Sequence, residues 1–234
     1  KIGLQNYMRM DGLAFRVLPV RINRRLIDPA VIQKNLFEKY KYRNLNNPDV
    51  YFNDNIKALL GNYRSAFLAL AQHYIAANQK DKGLEVLDRM SSVIPEEVIP
   101  PGDPNISILI GQLYRAAGRP EELKKRLDYV IHLASLSPSQ KVQFLPWYSE
   151  MVGDPAAAES LAMEILKEEP TLAQAYGFLI NQYRREKQYE KGVEVLQKWL
   201  AVDPNNSLAK SMMGQMESLM QKDSVAARDT TTKQ

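Results

Sequence analysis

Two stretches lying 109 residues apart carry the same arrangement of large and small residues, and this constrains the fold more than any other feature. In the first, Phe67, Leu70, Ala71 and Tyr74 make one apolar stripe; after a polar break Gly83, Leu87 and Met90 make another, which Pro95 ends. In the second, Tyr176, Leu179, Ile180, Tyr183, Gly192, Leu196, Trp199 and Pro204 hold the same offsets, with Ile180 the one departure at a small position. Spacings of three and four residues put each set on one helix face, so each stretch predicts a helical hairpin. Small residues at Ala71 and Gly83 let the two helices approach, while Tyr74 and Leu87 fill the space beside them. One hairpin has an apolar face that it cannot bury alone, and stacking of neighbours makes the continuous core. An α-solenoid is therefore expected.

The rest of the chain varies this theme. Ile110, Gly111, Tyr114, Leu127 and Val130 keep the register, with Ser107 where an aromatic and Leu123 where a small residue is expected. Ahead of them PEEVIPPGDPN is a proline-rich insertion that stretches the Tyr74 to Tyr114 spacing to 40 residues. Phe144, Trp147, Tyr148, Ala158, Leu161 and Ile165 outline a degenerate third hairpin, whose Pro146 should kink or shorten its first helix. Asp28-Pro29, Asp103-Pro104 and Asp154-Pro155 are helix-start signals, and Ser137 to Gln140 and Thr171 to Gln174 have the form of capping boxes. Leu208, Met212, Met216 and Leu219 suggest one last solvating helix. Residues 1–27, with Gly3, Gly12 and Pro19 as breakers and an alternation around Phe15, Val17 and Leu18, are expected to be irregular or extended.

The register of the hairpins resembles the tetratricopeptide repeat, a helix-turn-helix unit of about 34 residues. The fold class expected is all-α: about four such repeats plus a C-terminal capping helix, with a partly irregular N-terminal arm. Repeats are placed at about 53–95, 104–137, 138–170 and 171–204 within a region of 51–222, the capping helix at 206–222 and a frayed tail at 223–234. The arm, residues 1–50 with a short helix near 29–42, should dock on the first repeat, because Leu13, Phe15, Val17, Leu18, Val31, Ile32, Leu36, Tyr40 and Tyr42 are too many apolar residues for a free tether. In tetratricopeptide proteins partner peptides bind the concave face made by the first helix of each repeat. The resemblance carries that face onto Ser65, Leu68, Gln72, Ile108, Gln112, Arg115, Gln174, Asn181 and Arg184. The Lys/Asn/Lys/Arg pattern of repeats that clamp a C-terminal carboxylate is not present.

The arm carries a second resemblance. YMRMDGLAFRVLPV followed by KYKYRNLNNPDVYFNDN is similar to the region that, in bacterial multi-spanning membrane proteins related to protein O-mannosyltransferases, joins the last membrane helix to a repeat-bearing tail. It implies a glycosyltransferase-like parent in the bacterial cell membrane, with this soluble domain on the extracytoplasmic, periplasmic side. A non-catalytic protein-interaction tail is expected, binding a protein or peptide ligand; the alternatives are a part that positions acceptor polypeptide for a membrane-embedded active site, or a free-standing scaffold.

Composition agrees with a soluble interaction domain. The longest apolar run, Ala66 to Ala71, is far short of the roughly 20 residues that span a bilayer. The chain begins with Lys and shows no signal peptide, so a fragment or processed product is expected. The net charge of +4 is uneven: residues 1–43 hold ten Lys/Arg and three Asp/Glu, the remainder 21 and 24. The cluster Arg21, Arg24 and Arg25 is a candidate for lying near anionic lipid, and nucleic acid is disfavoured as its partner.

No catalytic, cofactor-binding or metal-binding residue is expected. The absence of cysteine excludes disulfides and thiolate metal sites. The two histidines, His73 and His132, stand far apart, and the formal Asp128/His132 pair fits a solvated helix surface. Glu96-Glu97, Glu121-Glu122 and Glu168-Glu169 are sequence neighbours whose carboxylates do not converge on one atom, and suit caps and surface. Trp147 and Trp199 fall on apolar faces.

Overall fold

The computed structural model describes residues 3–22, 27–132 and 136–231. It is all-helical apart from a two-stranded sheet, and falls into two compact units, Lys1–Val130 and Ile131–Gln234.

In the first unit the arm forms an antiparallel ribbon of β1 (Met8–Met10) and β2 (Phe15–Val17), pairing Met8 with Val17, Arg9 with Arg16 and Met10 with Phe15. Met10 also bridges Ile27 in parallel on its other side. Helix α1 (Pro29–Lys34) starts where the Asp28 side chain accepts from the Val31 N–H, with proline in the first turn. The helix expected to about residue 42 instead passes into a wide π turn, Asn35–Lys39, and ends. The chain then doubles back, and the Tyr42 hydroxyl donates to the Leu36 carbonyl at 2.8 Å.

Helix α2 (Asp54–Ala76), capped by Asn53, is followed by α3 (Lys80–Val93), with Asn78 in the left-handed region at the turn. Helix α4 (Pro104–Ala117) is capped by Asp103 and ends at Gly118, and α5 (Glu121–His132) follows. Phe67, Leu70, Ala71, Leu87 and Met90 are buried between α2 and α3, and Ile32 and Leu36 of the arm belong to the same core. Each of these side chains other than Ala71 contributes about 1.5–3 kcal/mol on burial. Aromatic rings of the arm complete that packing, with Phe37 6.5 Å from Phe67 and Tyr42 5.6 Å from Tyr63.

The α3–α4 insertion is anchored from α2. Arg64, 3% exposed, donates to the main-chain carbonyls of Ile94 and Ile99, and burial lowers its pKa from the ordinary arginine value.

In the second unit α6 (Pro138–Lys141) opens with a complete Ser137/Gln140 capping box. A 3-10 turn, Val142–Phe144, and a π turn, Trp147–Val152, follow it, so Pro146 stands between two irregular turns. Helices α7 (Pro155–Glu168), α8 (Ala173–Arg185), α9 (Tyr189–Val202) and α10 (Ser207–Thr231) each pack on the next. The Trp199 and Tyr176 rings stack at 4.9 Å. Two expectations change here. Thr171 does not cap α8, whose N-cap is Leu172, with its side chain buried instead. The segment from 223, expected to fray, continues α10 to Thr231.

The close approaches differ in how they tolerate volume. A Cβ added at Gly111 would stand 2.9 Å from the Leu123 Cα, which is backbone, whereas the nearest atoms to one at Gly192 belong to the flexible side chain of Met216. Overpacking costs about 1–3 kcal/mol, against a gain of about 1 kcal/mol in helix propensity over glycine. Gly111→Ala should therefore lower the melting temperature, while Gly192→Ala should leave it level or raise it; equal losses at both would contradict this.

Candidate functional site

A groove of about 630 Å3 opens on the first unit. Residues of α2 at helical spacing make one wall: Ser65, Leu68 and Ala69, then Gln72 and His73 one turn on. Ile106 and Leu109 of α4 face them, and the arm closes one side with Met10 and Ile27. Among the described residues no Asp, Glu, Lys or Arg lines this groove. Its volume is that of a typical ligand pocket, and its chemistry is an apolar floor with an amide, a hydroxyl and an imidazole at the rim. Ser65, Gln72 and His73 are exposed, while Leu68 is 6% exposed and supplies floor.

Of the residues carried over from the repeat resemblance, Ser65, Leu68 and Gln72 come together here. Ile108 does not; it is 4% exposed and turned into the core. Gln112 is half-buried and Arg115 exposed, and neither lines the groove. In their place α4 presents Ile106 and Leu109, one position along, which is about 100° around a helix. Met10 and Ile27 carry no periodic signal. Their place follows from the bridge between β1 and Ile27. Gln174, Asn181 and Arg184 are exposed on α8 of the second unit, where the Arg184 guanidinium donates to the Asn181 Oδ1 at 3.0 Å. Arg21 is exposed, and Arg24 and Arg25 lie outside the described residues.

A second cavity, of about 410 Å3, lies among α3, α4, α5 and the insertion, and it is polar. Arg126 is at its centre, 8% exposed, paired with Glu96 at 3.1 Å and with Glu122, and set 4.7 Å over the Tyr114 ring. Glu96 also accepts from Ser107, and Arg119 makes a two-pronged pair with Asp88 at 2.7 and 2.9 Å. Burial pushes the Tyr114 hydroxyl up to about 12. Glu96, expected on the surface, is thus a largely buried partner of Arg126, its side chain 12% exposed. Ser107 has a carboxylate beside it but is 1% exposed, so it cannot meet a substrate as a nucleophile. These charges satisfy one another, which is structural work.

Ionic contacts also organise the ribbon. Asp11 accepts from Arg9 at 2.8 Å and from Arg16 at 2.7 Å, and Arg9 reaches Asp28 at 3.2 Å. Burial alone would raise the Asp11 pKa, but the two arginine hydrogen bonds outweigh it and hold it below the ordinary aspartate value. A depressed carboxylate stabilises the fold above its unfolded pKa, and that contribution is lost as pH falls through the folded value. Acidification below the normal aspartate range should therefore loosen the ribbon of the wild type. Asp11→Asn should flatten that part of the pH dependence of melting, and an unchanged dependence would mean the two pairs add nothing.

Among the described residues no cluster of three His, Asp or Glu side chains could hold a metal ion, and no helix is long and apolar enough to cross a membrane. In comparisons with known proteins, no family model and no curated protein matches the chain.

Proposed function

We propose that the chain is a non-catalytic protein-interaction module of stacked tetratricopeptide-type hairpins, and that its working surface is the groove on the first unit. The observation that carries this reading is the gathering of Ser65, Leu68 and Gln72, chosen from the repeat register alone, in one open groove of ligand-pocket size. Polypeptide is the class of ligand that suits an apolar floor rimmed by hydrogen-bonding side chains on rigid helices. The similarity of the arm to the juxtamembrane region of glycosyltransferase-like bacterial proteins, together with the excess of Lys and Arg over residues 1–43, supports a parent in the cell membrane that carries this domain extracytoplasmically, with Arg21 toward lipid.

Panning of random peptides displayed on phage tests the groove. The wild-type chain should enrich a set of related sequences, and Ser65→Trp or Gln72→Trp, which fill the groove from exposed positions, should abolish their binding without lowering the melting temperature. Failure to enrich any sequence, or full binding by both blocked variants, would overturn the reading.

A further inference from the structure

A slot of about 200 Å3 opens among α7, α8 and α9 of the second unit, three helices whose residues are all described. Met163 and Leu166 of α7 and Val195 of α9 give it apolar walls. The Tyr176 ring of α8, 4% exposed and stacked on Trp199 at 4.9 Å, adds a rigid side. Lys167 and Lys198 line the slot from α7 and α9, one turn along from Met163 and Val195, and both are exposed. Other cations of this unit are taken up by the protein itself. Lys141 draws Glu164 and Glu168 at 3.9 and 2.9 Å, and Lys191 draws Glu159 at 3.7 Å. Among the described residues Lys167 and Lys198 have no such partner, and the Tyr176 hydroxyl makes no hydrogen bond. The slot thus offers apolar walls, two ammonium groups and a phenol donor.

We infer that this slot docks an acidic polypeptide segment, which seats one large apolar side chain, of the leucine or phenylalanine kind, between α7 and α9 and sets flanking Asp or Glu carboxylates against Lys167 and Lys198. Size favours a polypeptide. About 200 Å3 is below the roughly 300 to 1,000 Å3 of pockets that enclose a whole small ligand, and suits the single anchor residue that fills a pocket at a protein interface. Charge decides the sign, since a basic segment would bring like charges against two lysines. The site differs from the groove of the first unit in its residues and in its ligand, and neither reading depends on the other.

Random peptides displayed on phage are panned on the full chain carrying Ser65→Trp and Gln72→Trp together, so that the groove does not compete. Enriched sequences should pair one large apolar residue with neighbouring Asp or Glu. Lys167→Glu and Lys198→Glu should each weaken them at least about tenfold, and by more at low salt than at high, because charges at an exposed rim are screened. Lys210→Glu, an equal change of charge at an exposed position of α10, should leave affinity nearly unchanged. Tyr176→Phe keeps the ring and its stack and removes only the hydroxyl; it should melt like its parent and bind about fivefold more weakly. Enrichment of no peptide, enriched cores without acidic residues, or equal losses for Lys198→Glu and Lys210→Glu would overturn the inference, and would leave the groove, tested on the wild-type chain, as it stands. Decanoate, a carboxylate on an apolar tail, bound by a chain that enriches no such peptide and lost in Lys198→Glu, would assign the slot to an acyl ligand and overturn the inference as well.

Discussion

Arg126→Met is expected to destabilise the first unit by about 3 to 5 kcal/mol, the loss seen when one member of a buried ion pair is removed and the other stays behind. Two partners are left behind: Glu122, its side chain 24% exposed, and Glu96, whose carboxylate would keep the Ser107 hydroxyl but lose its cation in a site where its side chain is 12% exposed. The double variant Arg126→Met with Glu96→Leu removes the more buried pair and should recover part of the loss, because apolar residues commonly replace such pairs at little cost, while Ser107 loses its acceptor and Glu122 its cation. Denaturant unfolding of the two variants beside wild type measures both. A loss under about 1 kcal/mol for the single variant would mean that solvent reaches the pair and screens it as it does at a surface.

Leu87→Ala and Leu196→Ala should each cost about 2 to 5 kcal/mol, through lost transfer free energy and the cavity left behind. Both leucines are fully buried, Leu87 in the core that holds Phe67, Leu70 and Met90 in the first unit, Leu196 on α9, whose Val195 and Trp199 are buried with it, in the second. Hydrogen exchange alongside unfolding shows which unit each substitution loosens. Losses below about 0.5 kcal/mol at both positions, the range of surface changes, would remove them from the core.

Much of the helical layout was legible because it depends on local chemistry. Asn53, Asp28, Asp103 and Asp154 each accept a main-chain N–H at a helix start, which short polar side chains do wherever a first turn lacks acceptors. Thr171 failed the same test because a neighbour competed: Leu172 gains more from entering the core, and the helix starts after it. The groove was half legible. Spacing on α2 found Ser65, Leu68 and Gln72, but the carry-over to α4 placed Ile108 in the groove, and only tertiary packing decides the rotation of a helix about its axis. The polar cavity announced itself as an exception. Ser107, the residue that broke the aromatic register, is the one that donates to Glu96, so a mismatch in a repeat marked a buried hydrogen bond. Met10 and Ile27 gave no signal, since strand pairing across 17 residues brings them together.

The grip of Arg64 on the α3–α4 insertion implies an uneven tolerance to change. Its guanidinium holds the main-chain oxygens of Ile94 and Ile99, and every amino acid supplies a carbonyl there. In a saturation mutagenesis scan scored by folding, exposed Glu97 between them should accept nearly any residue. Position 64 should accept none freely, because one terminal nitrogen of Arg64 serves both carbonyls and a shorter side chain leaves two acceptors stranded. At Glu97 the sequence is free to drift while the path is kept by a residue some thirty positions away; Ile94, Glu96 and Ile99 on either side stay bound to the core and to Arg126.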